Sequence, residues 1–260
     1  MQTNTIKSTK ESSELVRDFF DDHASAYRAK YQLNDKFYNY FFFERLDKAT
    51  KGISFSNKHI LDIGAGTGPL YDYLLDKGMS DFKNYHATDI SSGMLESSMI
   101  PKKDRFVGDF TTLDFEHKYD LIFMLGVSTY LTVEQMQNHI NKVEELLANG
   151  GIFIVTFTND HSLDIFLRKL LTPIFKIFSG KDKIISQEFS TKYYSRLEIK
   201  ELLKGNLMLG STEGLNHTIF PISRILKSLS IRIARTVATL KEGRAKYFLS
   251  SDLLIKAKKH

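Results

Sequence analysis

Between residues 58 and 158 the chain alternates short apolar runs with stretches whose apolar residues recur at helical spacing. The apolar runs predict strands at 58–63, 85–91, 104–109, 119–126 and 152–158. Pro69 stands where it opens a helix, with Leu70, Tyr73 and Leu74 on one face and Gly78 as the stop. Thr132 and Gln135 form a capping box at the head of a second helix, which runs to about Leu147 and ends at Asn149-Gly150-Gly151. Strands that are apolar throughout and alternate with helices predict a parallel, doubly wound α/β sheet.

The flanks are less regular. Residues 13–31 carry Leu15, Phe19, Ala26 and Tyr27 among charges, a helical pattern suited to a lid. Residues 162–178 read as a basic, apolar helix broken at Pro173. Residues 193–203 read as a helix with its entry, and 206–215 and 250–259 as strands. Residues 222–240 place Ile222, Leu226, Leu229, Ile233 and Val237 on one helical face, with Arg224, Lys227, Arg232 and Arg235 interleaved. The organisation expected is one domain over 1–260: a helical lid at 1–57, a core at 58–158, insertions at 162–192 and 216–248, and a last strand at 250–259.

Composition narrows the chemistry. The hydrophobic fraction of 42% supplies a core and argues against disorder. With no cysteine, thiol nucleophiles, disulfides, iron–sulfur clusters and Cys-based zinc sites are excluded. The start is polar and no window is long and apolar enough to span a bilayer, so a cytoplasmic protein is expected. The net charge of +5 is uneven: residues 161–260 hold 19 Lys and Arg against 8 Asp and Glu. Such a basic half suits an anionic partner, be it nucleic acid, a membrane surface or a phosphorylated substrate.

The loop Gly64-Ala65-Gly66-Thr67-Gly68 lies between a strand and a helix. Such a loop aims backbone N–H groups at a ligand. Its spacing is not the G-x-G-x-x-G of dinucleotide binding, and no GK[ST] follows for a P-loop. Asp89 ends the second strand about 20 residues on, where a carboxylate accepts both hydroxyls of a ribose.

The ordered segments "ILDIGAGTG", "ATDIS", "VGDF", "YDLIFMLGV" and "LLANGGIFIVTF" resemble the class I S-adenosylmethionine-dependent methyltransferases over residues 58–158. "YYSRLEIKELLKGNLMLGSTEGLN" and "SSDLLIKAKK" resemble that family's last helix and terminal antiparallel hairpin. The resemblance implies a Rossmann-like seven-stranded sheet, mostly parallel, with helical lid insertions. It implies S-adenosylmethionine as methyl donor, S-adenosylhomocysteine as product, and no metal. Asp62, Gly64, Ala65, Gly66 and Gly68 would line the methionine part, and Asp89 the ribose. Ile90, Met94, Asp109 and Phe110 would surround the adenine, and Leu125 the methionine end. Tyr27, in an A-x-x-Y segment, and Tyr31 would close over the ligand.

If the acceptor is a hydroxyl, a general base helps, and histidine suits neutral pH. His161 and His217 follow presumed strands on the ligand edge, and His23 lies in the lid; these are the candidate bases. His59, His86, His117 and His139 read as structural. The Asn-Pro-Pro-Tyr motif of amino-methylating nucleic-acid and protein enzymes is absent; "LGVSTY" stands in its place. The acceptor expected is a small molecule, lipidic, glycosyl or a specialised metabolite, methylated at oxygen, with peripheral membrane contact through the basic insertions. An RNA methyltransferase is the alternative, against which the basic residues alternate with aliphatics and not with stacking aromatics. A non-catalytic S-adenosylmethionine-binding regulator is a third reading. The oligomeric state is not legible.

Overall fold

The computed structural model describes residues 13–27, 35–178 and 191–260. A helix through 13–27 (α1) and helix α2 (Lys36–Thr50) precede β1 (His59–Ile63). There follow α3 (Pro69–Asp76), β2 (Asn84–Asp89), α4 (Ser92–Glu96), β3 (Arg105–Val107), β4 (Tyr119–Met124), α5 (Val133–Leu146) and β5 (Leu147–Thr158). Then come α6 (Leu163–Phe178), α7 (Arg196–Leu202), β6 (Leu207–Leu215), α8 (Ile222–Ile225), α9 (Lys227–Ala238), α10 (Arg244–Phe248) and β7 (Asp252–Lys259).

The seven strands form one sheet in the order β3-β2-β1-β4-β5-β7-β6. Strands β1 to β5 pair in parallel, and β7 runs antiparallel to both β5 and β6. Because alternate side chains leave a strand on opposite faces, these strands feed two cores. Leu61, Ile122, Phe153 and Val155 pack with Met136, Ile140 and Val143 of α5 and Ile199 of α7. Ile60, Leu121, Phe123 and Ile154 pack with Leu46 and Ala49 of α2 and Leu70 and Leu74 of α3. Helices on both faces are why the central strands carry no polar alternation.

The capping box is present: the Thr132 side chain accepts from the Gln135 N–H, and the Gln135 side chain accepts from the Thr132 N–H. Thr132→Ala should cost about 1 kcal/mol in urea unfolding, since it orphans one of these amides. A second capping box, Ser195 with Glu198, starts α7. There two hydrogen-bond donors, the Ser195 amide and Lys192, hold the Glu198 carboxyl down to about 2.

Three local readings differ. Asn149-Gly150-Gly151, expected to end α5, lies instead within β5: α5 ends at Leu146 and Leu147 already pairs with Tyr119. Gly150, at φ +74°, lets the chain turn out of register before Ile152 rejoins Leu121. The helix expected to break at Pro173 continues to Phe178 as α6; the loss of one amide donor does not stop the turns beyond it. The single helix expected over 222–240 is two, α8 and α9, separated at Leu226 (φ −120°, ψ 63°). That joint rotates the second part. Ser230, Ala234 and Val237 are buried, while Leu226 and Leu229 are exposed. Small residues inside permit close approach to α2, where Lys227 lies over the rings of Phe37 and Tyr38 and Arg235 over Tyr40. Part of the basic stripe thus covers aromatic surface.

Candidate active site

The carboxyl ends of β1, β2, β4 and β5 open on one edge of the sheet, and a cleft of about 990 Å³ lies along that edge. The loop after β1 forms its floor. Gly64 and Gly66 take φ of +67° and +56°, which an L side chain rarely adopts. The Gly66 N–H donates to Asp89 Oδ2 at 2.8 Å, and the Ser91 N–H donates to Asp89 Oδ1 at 2.9 Å. Each carboxylate oxygen accepts more than one hydrogen bond, so both retain capacity toward the cleft. Burial pushes the Asp89 carboxyl up to about 6, against the pull of the Ser91 and Gly66 amides. Asp62, 3% exposed, accepts from the Tyr85 hydroxyl at 2.7 Å. Burial raises Asp62 to about 7; the bond from Tyr85 lowers it and the nearby Asp89 raises it.

Ala65, Ile90, Met94, Asp109, Phe110 and Leu125 all line this cleft with the glycines of the loop, except Gly68. Gly68 instead caps α3 at φ +79°. Asp109 accepts from the Thr111 amide and hydroxyl, which fixes the turn carrying Phe110. Phe110 and His139 lie with ring centroids 5.5 Å apart, and burial lowers the pKa of His139. Helix α1 crosses the cleft. Its Asp21 carboxylate accepts from the Ser91 hydroxyl at 2.6 Å and the Gly93 amide at 2.8 Å, and its Ser13 accepts from Gln135. Tyr27 lines the cleft from this helix, with Phe20 edge-on to it; Tyr31 lies outside the described residues.

A family model described as a methyltransferase domain matches residues 61–153, the stretch that holds this loop, Asp89 and the strand order around them. Residues 61–153 carry a methyltransferase domain. Over 188 residues this methyltransferase is 23% identical to an uncharacterized methyltransferase of Bacillus thuringiensis, covering 72% of this chain and 86% of that one. A 135-residue stretch, 45% of the chain, is 29% identical to part of the hybrid PKS-NRPS synthetase lepA of Aspergillus flavus, but spans only 3% of that protein. Among solved structures, magnesium protoporphyrin IX methyltransferase (ChlM) of Synechocystis PCC 6803, with bound SAH, superimposes with a TM-score of 0.60 at 15% identity. That superposition covers 96% of this chain and 100% of the other.

None of the three expected histidine bases lines the methyltransferase cleft. His23 is exposed on α1, stacked on Phe19 with its Nδ1 2.8 Å from the Phe19 carbonyl. His161 is exposed in the turn after β5. His217 is buried beside α2, with Nδ1 3.1 Å from Ser250 Oγ and Nε2 3.6 Å from Glu44 Oε1. Burial, with Lys48 and Lys246 nearby, lowers His217 to about 4.

The ionisable groups that do line the wall beyond β4 and β5 are others: Arg45, Tyr130, Asp164, Arg168 and Asp252. Asp252 opens β7 opposite Thr158, accepts from the Asn216 amide and lies 3.7 Å from Arg45. Burial raises its carboxyl, partly offset by Arg45. Asp164, 3% exposed, takes Arg168 Nε on Oδ2 at 2.6 Å and leaves Oδ1 buried without a hydrogen bond. The sequence did carry a signal for two of them. Arg45 sits just after an aromatic run, "FYNYFFFERL", and Asp252 directly precedes the apolar Leu253-Leu254-Ile255.

Proposed function

We propose that this methyltransferase uses S-adenosylmethionine to methylate a hydroxyl oxygen of a small molecule held in the cleft. The observation that carries the reading is Asp89, clamped by the Gly66 and Ser91 amides with acceptor capacity left toward the cleft. The residues fit an adenosyl ligand. The glycine loop offers backbone without side chains, Asp89 suits two ribose hydroxyls, and Ile90, Met94 and Phe110 offer apolar surface for a flat base.

When bound, S-adenosylmethionine supplies a methyl group on a positively charged sulfur. The chain's task is to place the acceptor in line with that methyl and to exclude water. Helix α1, pinned through Asp21 and Ser13, covers the cleft, and Tyr27 and Tyr130 narrow it. Asp252 receives the proton from the acceptor hydroxyl, since burial raises its affinity for a proton and the histidines stand elsewhere. Helix α6 and the segments between β6 and β7 that meet the cleft supply the acceptor side, through Asp164, Arg168, Asn216 and Thr218. Aromatic walls with paired charges suit a partly apolar acceptor, and the Synechocystis neighbour is named for a small-molecule substrate, magnesium protoporphyrin IX. Among the described residues, no helix is long and apolar enough to cross a membrane.

Calorimetric titration tests the donor. Wild type should bind S-adenosylmethionine and S-adenosylhomocysteine, and Asp89→Ala should weaken both tenfold to a hundredfold, the cost of losing charge-assisted hydrogen bonds. Methyl-labelled donor, offered with separated RNA and low-molecular-mass extract, tests the acceptor. Label recovered in RNA would overturn the small-molecule reading.

A further inference from the structure

The joint between α8 and α9 leaves aliphatic surface in water. Ile225, Leu226 and Leu229 are 64%, 52% and 42% exposed. Ile225 and Leu226 are neighbours in the chain, and Leu229 follows in the first turn of α9. Single exposed leucines are ordinary; three large aliphatic side chains gathered at one joint call for a partner. The cause is local. Leu226, at φ −120° and ψ 63°, interrupts the helix, and Ser230, Ala234 and Val237 take the buried face of α9.

The rim of this patch carries one sign of charge. From Gly214 to Lys241 the chain holds five Lys and Arg and no Asp or Glu. Lys227 and Arg235 lie over rings of α2, and Lys227 also donates to Asp35. Arg224, Arg232 and Lys241 are exposed; Arg224 directly precedes Ile225, and Arg232 stands three residues beyond Leu229. Glu242, the first acid after the segment, accepts from Lys246 and from the Gly214 amide. An aliphatic patch rimmed by cations matches a partner that is anionic at its surface and apolar beneath. It does not match a second copy of itself, which would set cation against cation. Nor does it match RNA, since α8 and α9 contain no aromatic residue on which a base could stack.

We propose that the α8–α9 joint docks on an anionic lipid bilayer. Ile225, Leu226 and Leu229 enter the headgroup region, and Arg224, Arg232 and Lys241 meet the lipid phosphates. The connection that carries the patch also lines the cleft at Asn216 and Thr218, and Arg168 of α6 lies over its Phe220. Docking therefore brings the acceptor side of the cleft to the membrane.

Vesicle sedimentation of the full chain tests this, with vesicles of phosphatidylcholine alone and of phosphatidylcholine and phosphatidylglycerol in equal parts. Wild type should pellet with the mixed vesicles, stay in solution with phosphatidylcholine alone, and be released by added salt. Leu226→Ser with Leu229→Ser should weaken binding roughly tenfold or more. Arg232→Glu with Lys241→Glu should weaken it by about fivefold or more for each cation reversed. Both variants should unfold in urea like wild type, because the side chains are exposed. Wild type that ignores the mixed vesicles overturns the proposal, and so does a leucine variant that pellets like wild type. A single-stranded RNA oligonucleotide bound in place of vesicles, and lost in Arg232→Glu with Lys241→Glu, overturns it in favour of nucleic acid. A dimer in sedimentation equilibrium that the leucine variant dissolves, without vesicle binding, overturns it in favour of a second copy.

Discussion

Gly64→Ala should remove S-adenosylhomocysteine binding and destabilise the fold by about 3 kcal/mol. Two costs add. The first is conformational: at φ +67° an alanine Cβ crowds its own carbonyl, at about 1 kcal/mol or more. The second is steric. The new Cβ would stand 2.2 Å from Val127 Cγ2, so either the glycine loop or the 126–127 turn must move. Both are cleft wall, and the Gly126 amide is held by Thr156 Oγ1 at 2.7 Å, so relief by moving that turn breaks a partly buried hydrogen bond. Gly66 is a milder case: its Cβ would meet only Met94 Cε, at 3.6 Å. Urea unfolding and calorimetry of Gly64→Ala and of Gly64→Ala with Val127→Ala separate the two costs. The double variant should regain the steric share, roughly 1–2 kcal/mol, and keep the conformational one. A single variant that unfolds like wild type and still binds would contradict the cleft geometry.

The unequal roles of these glycines bear on what the sequence could reveal. Periodicity placed the parallel strands β1 to β5 within about five residues, because a parallel sheet buried on both faces forces apolar runs. The glycine loop and Asp89 were legible for a related reason. Backbone at positive φ and a carboxylate at a strand end are demands that local sequence must meet by itself. The acceptor wall is different. Arg45, Tyr130, Asp164 and Asp252 come from four separated segments and converge only because α2 and the β6–β7 excursion fold over one edge of the sheet. Chain position relative to a strand end was a poor guide to His161 and His217, and it did not single out Asp252. His161 turns to solvent, and His217 sits against Glu44 behind the cleft. Likewise, helical spacing over 222–240 assumed one continuous helix, and the joint at Leu226 turned its apolar face around. In each failure, tertiary placement overrode a local pattern.

The other large effect expected is a gain of stability from Asp62→Asn at pH 8. Asp62 is held near a pKa of 7 in the fold, chiefly by burial, against 3.8 as its ordinary value. Between those values the unfolded chain has ionised while the folded chain keeps the proton. The folded state then binds more protons, so stability contributed by this group is present below about pH 4 and is lost as pH rises through 7. Above that, the fold carries a buried charge whose cost is on the order of 2–4 kcal/mol. Asparagine removes the charge and can still accept from the Tyr85 hydroxyl. Urea unfolding should therefore show the variant more stable than wild type at pH 8, with the gap closing toward pH 4. His217, lowered to about 4, acts with the opposite sign, since the unfolded chain takes up its proton first as pH falls. Taking the difference between variant and wild type cancels it. A gap that is absent, or the same at pH 5 and pH 8, would mean that Asp62 does not titrate as its burial requires. A charge this costly is retained when a ligand repays it, and Asp62 lines the stretch of cleft next to the glycine loop. Saturating S-adenosylhomocysteine, whose amino-acid end carries an ammonium, should stabilise wild type more than Asp62→Asn and narrow the gap between them at pH 8.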